Sequence, residues 1–583
     1  MNFVNPFSYE AATNLKIEEI LDWYVVSHQH GPLLKSNRNL FLFGERGSGK
    51  SMTLRYFSLE AEVAREKQTG KLDLSYLGIY VKCNSALIWK REYDLIKREP
   101  ELSVKAALLS ENILALWIAR ALVDQISKVR DVFSVNEATD FSNRLSYLIN
   151  AELPADNRCL DALGDFLDKQ LDYAQRGLAE RDPSEYNKGL MGFNGLVLQL
   201  MLQLRTLVRF RNSHFMIMID DAQDLYAHQR EAVNSWIAYR DHTVYSLKVA
   251  VARQRAYDFT TANGSSILEI HDYSSLDLQR AYLNSRSDYA KFVANVLSTR
   301  LKQAGIPVDA KKFFPSDKKF ERDIKECQDQ VRNEYRNKYP DASDKQLQDY
   351  VYKHGRAMYF GRRSPNANKP VYAGLETITE ISTGVTRNVL EIAWRAFDIQ
   401  ASKDRDRVEF KSIPAAVQSE AIFGCCDRLW RIIDDGLDKR SSRISTTDAN
   451  HLKNFFKQLG SYFQRRLNSN ISEPRVLSFV ISEKERNPKA TRDLEKVMDL
   501  AIEQTLLFAR LYPSRDGGAP ETAYTPNKLL WPCLGLDVVG QSGRASIKAS
   551  ELVGALRGKE LPLNKKQAAK IASDCQTEID FED

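Results

Sequence analysis

Short apolar runs, each flanked by polar residues, recur along the first half of the chain. Four cover residues 40–43 (LFLF), 77–82 (LGIYVK), 215–219 (FMIMI) and 246–252 (SLKVAVA), and a shorter one covers 267–270 (ILEI). Near-continuous apolar runs of this length are typical of parallel strands buried on both faces. Helical patterns lie between them, so the sequence predicts an α/β core, a parallel sheet flanked by helices with its ligand at the carboxyl edge.

Longer helical stretches interrupt and follow these strands. A helical insertion is expected at about residues 100–210, between the second and third strands. Strand signals fade after the fifth run, which divides the chain into a core at 1–275, a helical lid at 276–400 and a third domain at 401–583. The lid contains a charge-dense stretch at about 309–370, which is best explained as solvated helices, with a binding arm as the alternative.

The third domain has a pattern of helices followed by short strands. Pro474 can begin a helix that runs to about Arg486, and Thr491 can cap a second helix after an Asn-Pro break. Residues 524–552 then carry a GQSGR turn between two possible short strands. This order predicts a mostly α, winged-helix-like domain.

Composition narrows the class of protein. The chain has 583 residues, too many for one hydrophobic core, and its 43% apolar and 27% charged residues are typical of soluble globular proteins. A net charge of +6 is too small to indicate nucleic acid binding by itself. The seven cysteines lack the CxxC spacing of zinc sites and redox motifs. No apolar run is long enough to span a bilayer, and the first residues do not resemble a signal peptide. A cytoplasmic location with reduced thiols and no membrane is therefore expected.

A glycine-rich loop joins the first predicted strand to a helical segment and reads GERGSGKS. Glycine lets backbone N–H groups approach phosphate at positions where a Cβ would block them. Lys50 would place its charge on the terminal phosphates and the Ser51 hydroxyl would bind Mg²⁺. The strand–loop–helix context predicts a P-loop NTPase core that binds ATP and Mg²⁺ through Gly44, Glu45, Arg46, Gly47, Ser48, Gly49, Lys50, Ser51 and Met52.

An acidic pair, Asp220-Asp221, ends the third apolar run. In an ATPase of this plan one carboxylate holds the magnesium and the second orients the attacking water. The alternative is a pair of turn acids at a strand end. Glutamate is the more usual second residue, and Asp221 is one methylene shorter, so we expect slow hydrolysis.

Two arginines are candidates for contact with the terminal phosphate. Arg253 follows the fourth predicted strand, where a polar residue commonly senses the phosphate; the alternative, a surface arginine, is favoured. Arg387 follows Gly384-Val385-Thr386 at the start of a lid helix, from which it could reach back to the phosphates. With Lys50 and Asp221 they form the predicted catalytic set.

Four motifs, in this order, resemble those of AAA+ ATPases of the origin-recognition and replication-initiator branch, especially their bacterial relatives. They are NPF (residues 5–7), GERGSGKS, IDDAQDL and STGVTR. The resemblance covers about residues 1–275 and 370–400 and is weaker in the C-terminal part. It implies that Phe7 lies near the adenine, although packing of this ring into a core is an equally good explanation.

The resemblance also implies roles for individual residues. Lys50 and Ser51 would bind phosphate and magnesium, Asp220 would hold the metal, Asp221 would stand at the catalytic acid position and Arg387 would be the lid sensor. Aspartate at position 221 is similar to the arrangement in switch-like STAND ATPases, whose nucleotide state controls assembly.

Two functions are compatible with these features. The first is a regulatory ATPase that acts as a nucleotide-dependent switch for a separately encoded protein effector, with homo-oligomers possible; bacterial relatives resemble components of antiphage, that is antiviral, defence. The second is a DNA-binding ATPase that resembles replication initiators. The helix that begins near Thr491 carries mixed charges, which weakens direct DNA recognition, whereas a basic tail at 544–572 could still contact a phosphate backbone.

Overall fold

The computed structural model shows two compact units. The first comprises Glu10–Arg280, and the second combines Met1–Tyr9 with Ala281–Asp583. None of the described helices is long and apolar enough to span a membrane. The structure describes residues 5–8, 10–26, 31–83, 100–134, 137–180, 190–241, 243–252, 257–279, 286–363, 369–403, 411–439, 441–442, 444–469, 475–482, 488–512, 521–540 and 543–563.

A five-stranded parallel sheet forms the centre of the first unit. Its strands are β1 (Leu40–Gly44), β2 (Tyr76–Lys82), β3 (His214–Asp220), β4 (Tyr245–Ala252) and β5 (Ser274–Asp277), in the order β2-β3-β4-β1-β5. Strands β3 and β4 are buried along their whole length, so apolar residues follow one another without alternation in most of each strand. The glycine loop after β1 and the acidic pair after β3 therefore lie at the same, carboxyl edge of the sheet.

Helices flank this sheet. Those around β1 are α1 (Ile17–Trp23), α2 (Gly31–Leu34), α3 (Lys50–Tyr56) and α4 (Leu59–Thr69). Between β2 and β3 the chain forms α5 (Pro100–Ile126), α6 (Glu137–Ile149), α7 (Cys159–Glu180) and α8 (Val197–Leu204), and α9 (Ala227–Ala238) follows β3. Buried side chains of α5 to α8 join those of the sheet in one continuous hydrophobic core. The long helical segment is thus packed onto the sheet.

The prediction of four buried strands and an α/β core is confirmed, but the predicted position of the fifth strand was wrong. Residues 267–270 form no strand; the fifth strand is β5, which pairs with β1 through Leu40 and Ser274. Leu268 and Ile270 are 57% and 74% exposed, and Ile270 takes a left-handed φ of +79°. A β-branched residue in that conformation turns the chain and cannot continue a β-ladder.

The second unit is mostly helical. Its helices are α10 (Arg286–Gln303), α11 (Ala310–Phe313), α12 (Lys318–Lys338), α13 (Asp344–Arg362), α14 (Leu375–Ile381), α15 (Thr386–Lys403), α16 (Ala415–Asp434), α17 (Thr446–Ser469), α18 (Pro488–Glu503) and α19 (Ala549–Leu556). The charge-dense helices α12 and α13 pack together over a small apolar core that includes Ile324, Val331 and Val351. This arrangement matches solvated helices that bury one narrow face.

A mixed four-stranded sheet completes the second unit. It consists of β6 (Val476–Ser482), β7 (Leu507–Tyr512), β8 (Glu521–Pro526) and β9 (Gly543–Lys548), in the order β7-β8-β6-β9. Strand β8 is antiparallel to β7 and β6, whereas β9 is parallel to β6.

The helix predicted from Pro474 to Arg486 was wrong, because its middle forms β6. The run VLSFVIS is rich in β-branched and aromatic residues, and it lies between two partner strands that satisfy its backbone groups. The following helix, α18, begins at Pro488 rather than at Thr491.

The two short strands expected around the GQSGR turn do not pair with each other, since β8 and β9 lie on opposite sides of β6. The winged-helix assignment stays a prediction.

A buried carboxylate links α13 to this C-terminal sheet. Asp537 is 1% exposed and accepts hydrogen bonds from Arg356 of α13, at 2.9 and 3.2 Å, and from Arg475, which precedes β6. Burial alone would raise the pKa of the Asp537 carboxyl, but the two guanidinium groups hold this pKa below its usual value. The carboxylate is therefore ionised and compensated by two cations.

We predict that Asp537→Asn strongly destabilises the second unit, because it removes the buried negative charge that Arg356 and Arg475 both contact. Removing one partner from a buried charge cluster costs about 3–5 kcal/mol. The measurement is the thermal unfolding midpoint of the full chain. Asp329→Asn, which removes an exposed partner of Arg332, is the control and should change little. Equal midpoints for both variants would contradict the proposed importance of this cluster.

Candidate nucleotide site

The loop after β1 has a backbone that requires glycine. Gly47 and Gly49 adopt φ values of +88° and +101°, which side-chain-bearing residues rarely adopt. A Cβ at Gly44 would collide with the side chain of Ser48. Within the described residues, the buried Ser48 Oγ has no hydrogen-bond partner. A tight glycine-rich loop with such a hydroxyl fits a phosphate group, which accepts hydrogen bonds from backbone N–H and hydroxyl donors.

Lys50, the first residue of α3, closes this loop. Its Nζ donates to the carbonyl oxygens of Gly44 at 3.0 Å and of Glu45 at 3.2 Å, and the residue is 6% exposed. Burial lowers the pKa of the Lys50 ammonium, while the charges of Asp220 and Asp221 oppose that shift. The lysine thus places a cation between the loop and the acidic pair.

Asp220 is the most deeply buried acid of the site, with no exposed surface. It accepts hydrogen bonds from the hydroxyl of Tyr80 at 2.7 Å, from the side chain of Ser51 and from the N–H of Asp221 at 3.0 Å. Burial, together with the negative charge of Asp221, raises the pKa of Asp220 to about 6. The hydrogen bonds from Ser51 and Tyr80 and the charge of Lys50 oppose this increase. A buried carboxylate, that of Asp220, beside the carboxylate of Asp221 is suited to binding a divalent cation. Ser51 and Asp220 would hold this cation.

Asp221 begins a short turn outside the sheet. It is half-buried, and its φ of +55° lies in the left-handed region, which aspartate tolerates better than most residues. The turn continues as a 3₁₀ segment at Ala222–Asp224, in which the N–H of Asp224 donates to the carbonyl oxygen of Asp221 at 2.9 Å. The chain therefore leaves the sheet directly after Asp220.

Tyr80 is a site residue that the sequence analysis missed. It lies on β2, where Lys82 pairs with Asp220 and Tyr80 pairs with Met218. Its hydroxyl reaches the carboxylate from the neighbouring strand, and burial together with the charge of Asp220 raises the pKa of this phenol far above its usual value. Tyr80 therefore stays protonated and donates to Asp220 throughout the physiological range.

The remaining predicted site residues lie in different surroundings, and one of them lies outside the described residues. Arg46 is exposed in the loop, and Met52 is half-buried in α3. Arg253 lies outside the described residues. Phe7 is fully buried in the second unit, where its ring packs against Phe313, Phe314 and Phe397. Its predicted contact with adenine stays a prediction.

Arg387 is the second residue of α15 and is half-buried. The preceding residues 382–385, here called the lid turn, are buried, and Thr383 adopts a left-handed φ of +56°. Arg510 of β7 donates to the carbonyl oxygen of Thr383 at 3.0 Å, and the N–H of Lys528 donates to its hydroxyl at 3.1 Å. The start of α15 is thereby attached to the C-terminal sheet of the same unit.

The loop, Lys50, Ser51 and the acid that ends β3 together define a P-loop nucleotide-binding protein of the α/β class. The profile of the family described as ORC-CDC6-like matches residues 5–349 and 328–547. The chain therefore belongs to the ORC-CDC6-like family, within the origin-recognition branch of AAA+ ATPases, and the resemblance inferred from its motifs is confirmed. A comparison with curated proteins found no match. AAA+ ATPases of this kind generally use ATP and Mg²⁺.

We predict that Tyr80→Phe weakens Mg²⁺-dependent ATP binding, because Asp220 loses a donor that favours its ionised form. A hydrogen bond to a charged group is worth about 1.5–3 kcal/mol, so the Kd for Mg-ATP should rise at least about tenfold. Titration calorimetry with and without Mg²⁺ measures the effect. Tyr76→Phe, at the opposite end of β2, is the control and should leave the Kd unchanged. A Kd in Tyr80→Phe equal to the wild-type value would exclude this role.

Proposed function

We propose that this protein is an ATP-binding, slowly hydrolysing switch whose nucleotide state controls a separate protein effector. The observation that carries this proposal is the buried charge cluster at the carboxyl edge of the first sheet. There Asp220, with its pKa raised by burial, lies beside Ser51 and within the field of Lys50. Such a cluster is costly to bury unless a cation and an anion complete it, as Mg²⁺ and a triphosphate would.

Slow hydrolysis follows from the second acid. Asp221 has one methylene fewer than glutamate, so its carboxylate has a shorter reach toward a water on the terminal phosphate. Arg253 and Arg387 are proposed to contact that phosphate. An ATPase that hydrolyses slowly remains in its ATP state long enough to signal.

The lid turn supports the switch. Any movement of Arg387 toward a nucleotide would pull on Thr383, whose carbonyl and hydroxyl are bonded to Arg510 and Lys528. Lys528 is itself buried and paired with Glu380 of α14 at 2.7 Å. Rigid buried connections of this kind transmit a local shift to the surface of the same unit.

The observed surface of α18 favours a protein partner over duplex DNA. Asp493, Glu495 and Asp499 are exposed along this helix, and Lys496 is paired with Asp448 at 2.7 Å. Burial and the charge of Glu495 raise the pKa of Asp499. A helix that enters the major groove needs basic and amide side chains, whereas this one presents more acidic than basic groups among its described exposed side chains. A role in antiphage defence rests on the resemblance of the motifs alone.

We predict that Lys50→Ala abolishes ATP binding, since the loop loses the cation that faces the terminal phosphates. Titration calorimetry of the full chain with Mg-ATP should show binding for the wild type and a loss of at least about 100-fold for the variant. Lys35→Ala, which removes a half-buried lysine of the same unit that pairs with Asp73, should bind normally. A Lys50→Ala protein that binds Mg-ATP with wild-type affinity would refute the nucleotide site.

The effector hypothesis is tested by purifying the tagged chain from its native cells, with Mg-ATP or without nucleotide. We expect a stoichiometric protein partner whose recovery changes between the two conditions and no longer changes in Lys50→Ala. Recovery of sheared chromosomal DNA in place of protein, removed by nuclease and by salt, would instead support the DNA-binding alternative.

A further inference from the structure

Gln223 bridges the second acid and the neighbouring strand. Its Nε2 donates to Oδ1 of Asp221 at 3.1 Å, and its Oε1 accepts from the backbone N–H of Ala252 at 2.9 Å. Gln223 lies in the 3₁₀ segment after β3, and Ala252 is the last residue of β4. Both polar atoms of one side-chain amide are thus used to connect the carboxyl ends of two adjacent strands.

This bridge fixes a carboxylate that the backbone alone does not orient. The left-handed conformation of Asp221 sets where its side chain starts, but the rotation about its Cα–Cβ bond remains free to place Oδ1 in several positions. A donor that is itself anchored to β4 selects one of them. This connection needs a side chain whose terminal group carries both a donor and an acceptor, as the amide of glutamine does.

We propose that Gln223 is a positioning residue for ATP hydrolysis, holding the short Asp221 carboxylate in the orientation that directs the attacking water. This inference rests on the proposed function, because it assumes that Asp221 acts on a water beside the terminal phosphate. Gln223 touches neither nucleotide nor metal in this role. Its contribution should therefore appear in the chemical step and not in the binding of Mg-ATP.

Two substitutions separate this role from a purely structural one. Gln223→Met has a similar length and removes both hydrogen bonds. Gln223→Glu is isosteric and keeps the acceptor for the N–H of Ala252, but it loses the donor and places a negative charge beside Asp221. If only the bond to Ala252 were important, Gln223→Glu would lower the hydrolysis rate less than Gln223→Met. If Gln223 must also hold Asp221, Gln223→Glu lowers the rate more.

The experiment measures single-turnover hydrolysis of Mg-ATP at pH 8 in the full chain, together with the Kd for Mg-ATP and the thermal unfolding midpoint. We expect hydrolysis to fall about 10- to 100-fold in Gln223→Met and several-fold further in Gln223→Glu, with the Kd within about twofold of the wild type. Gln229→Glu is the matched control, since Gln229 is a buried glutamine of α9 whose Oε1 also accepts a backbone N–H, that of Tyr226 at 3.1 Å. It should hydrolyse ATP at the wild-type rate.

Three outcomes overturn the inference. The first is a faster rate in Gln223→Glu than in Gln223→Met. The second is a loss of Mg-ATP affinity in parallel with the rate, which indicates that the turn has collapsed. The third is a wild-type protein that binds Mg-ATP but hydrolyses none of it. By contrast, a wild-type protein that does not bind Mg-ATP refutes the proposed function itself and removes the basis of this inference with it.

Discussion

The arrangement of the first unit depends on a carboxylate buried at the end of an apolar strand. Asp220 has no exposed surface, and burial raises its pKa to about 6, so the folded protein bears the cost of a charge that water would otherwise stabilise. Ser51 and Lys50 of α3 and Tyr80 of β2 surround it and offset part of that cost. Proteins retain such unfavourable groups where a ligand compensates them, which ties the local electrostatics to nucleotide binding.

The parts of the site that could be predicted from sequence are those set by local rules. Buried parallel strands leave near-continuous apolar runs, and a loop that follows one of them with positive φ at Gly47 and Gly49 needs glycine there. The phosphate loop, Lys50 and the acidic pair were therefore recognisable, as was the family. The same rules failed at β5 and β6, because a short strand is specified by its partners more than by its own sequence.

The residues that support the site could not be predicted. Tyr80 reaches Asp220 only because β2 and β3 align in one particular register, and a shift by one residue would turn its ring to the other face. Gln223 depends on a turn that brings it against the last residue of β4. Likewise, the attachment of Thr383 to Arg510 joins residues far apart in sequence. Each contact follows from tertiary structure and leaves no local pattern.

The Mg²⁺ dependence of ATP binding in Asp220→Asn shows whether the buried Asp220 holds a nucleotide-bound cation, as we propose. The pKa of the Asp220 carboxyl is higher in the folded protein than its usual value, so its ionised form opposes folding above pH 6. The asparagine of the variant carries no charge. We therefore expect its thermal unfolding midpoint without nucleotide to be higher than that of the wild type. We expect Mg²⁺ to tighten ATP binding in the wild type but not in this more stable variant. Equal tightening by Mg²⁺ in both proteins would contradict this role of Asp220.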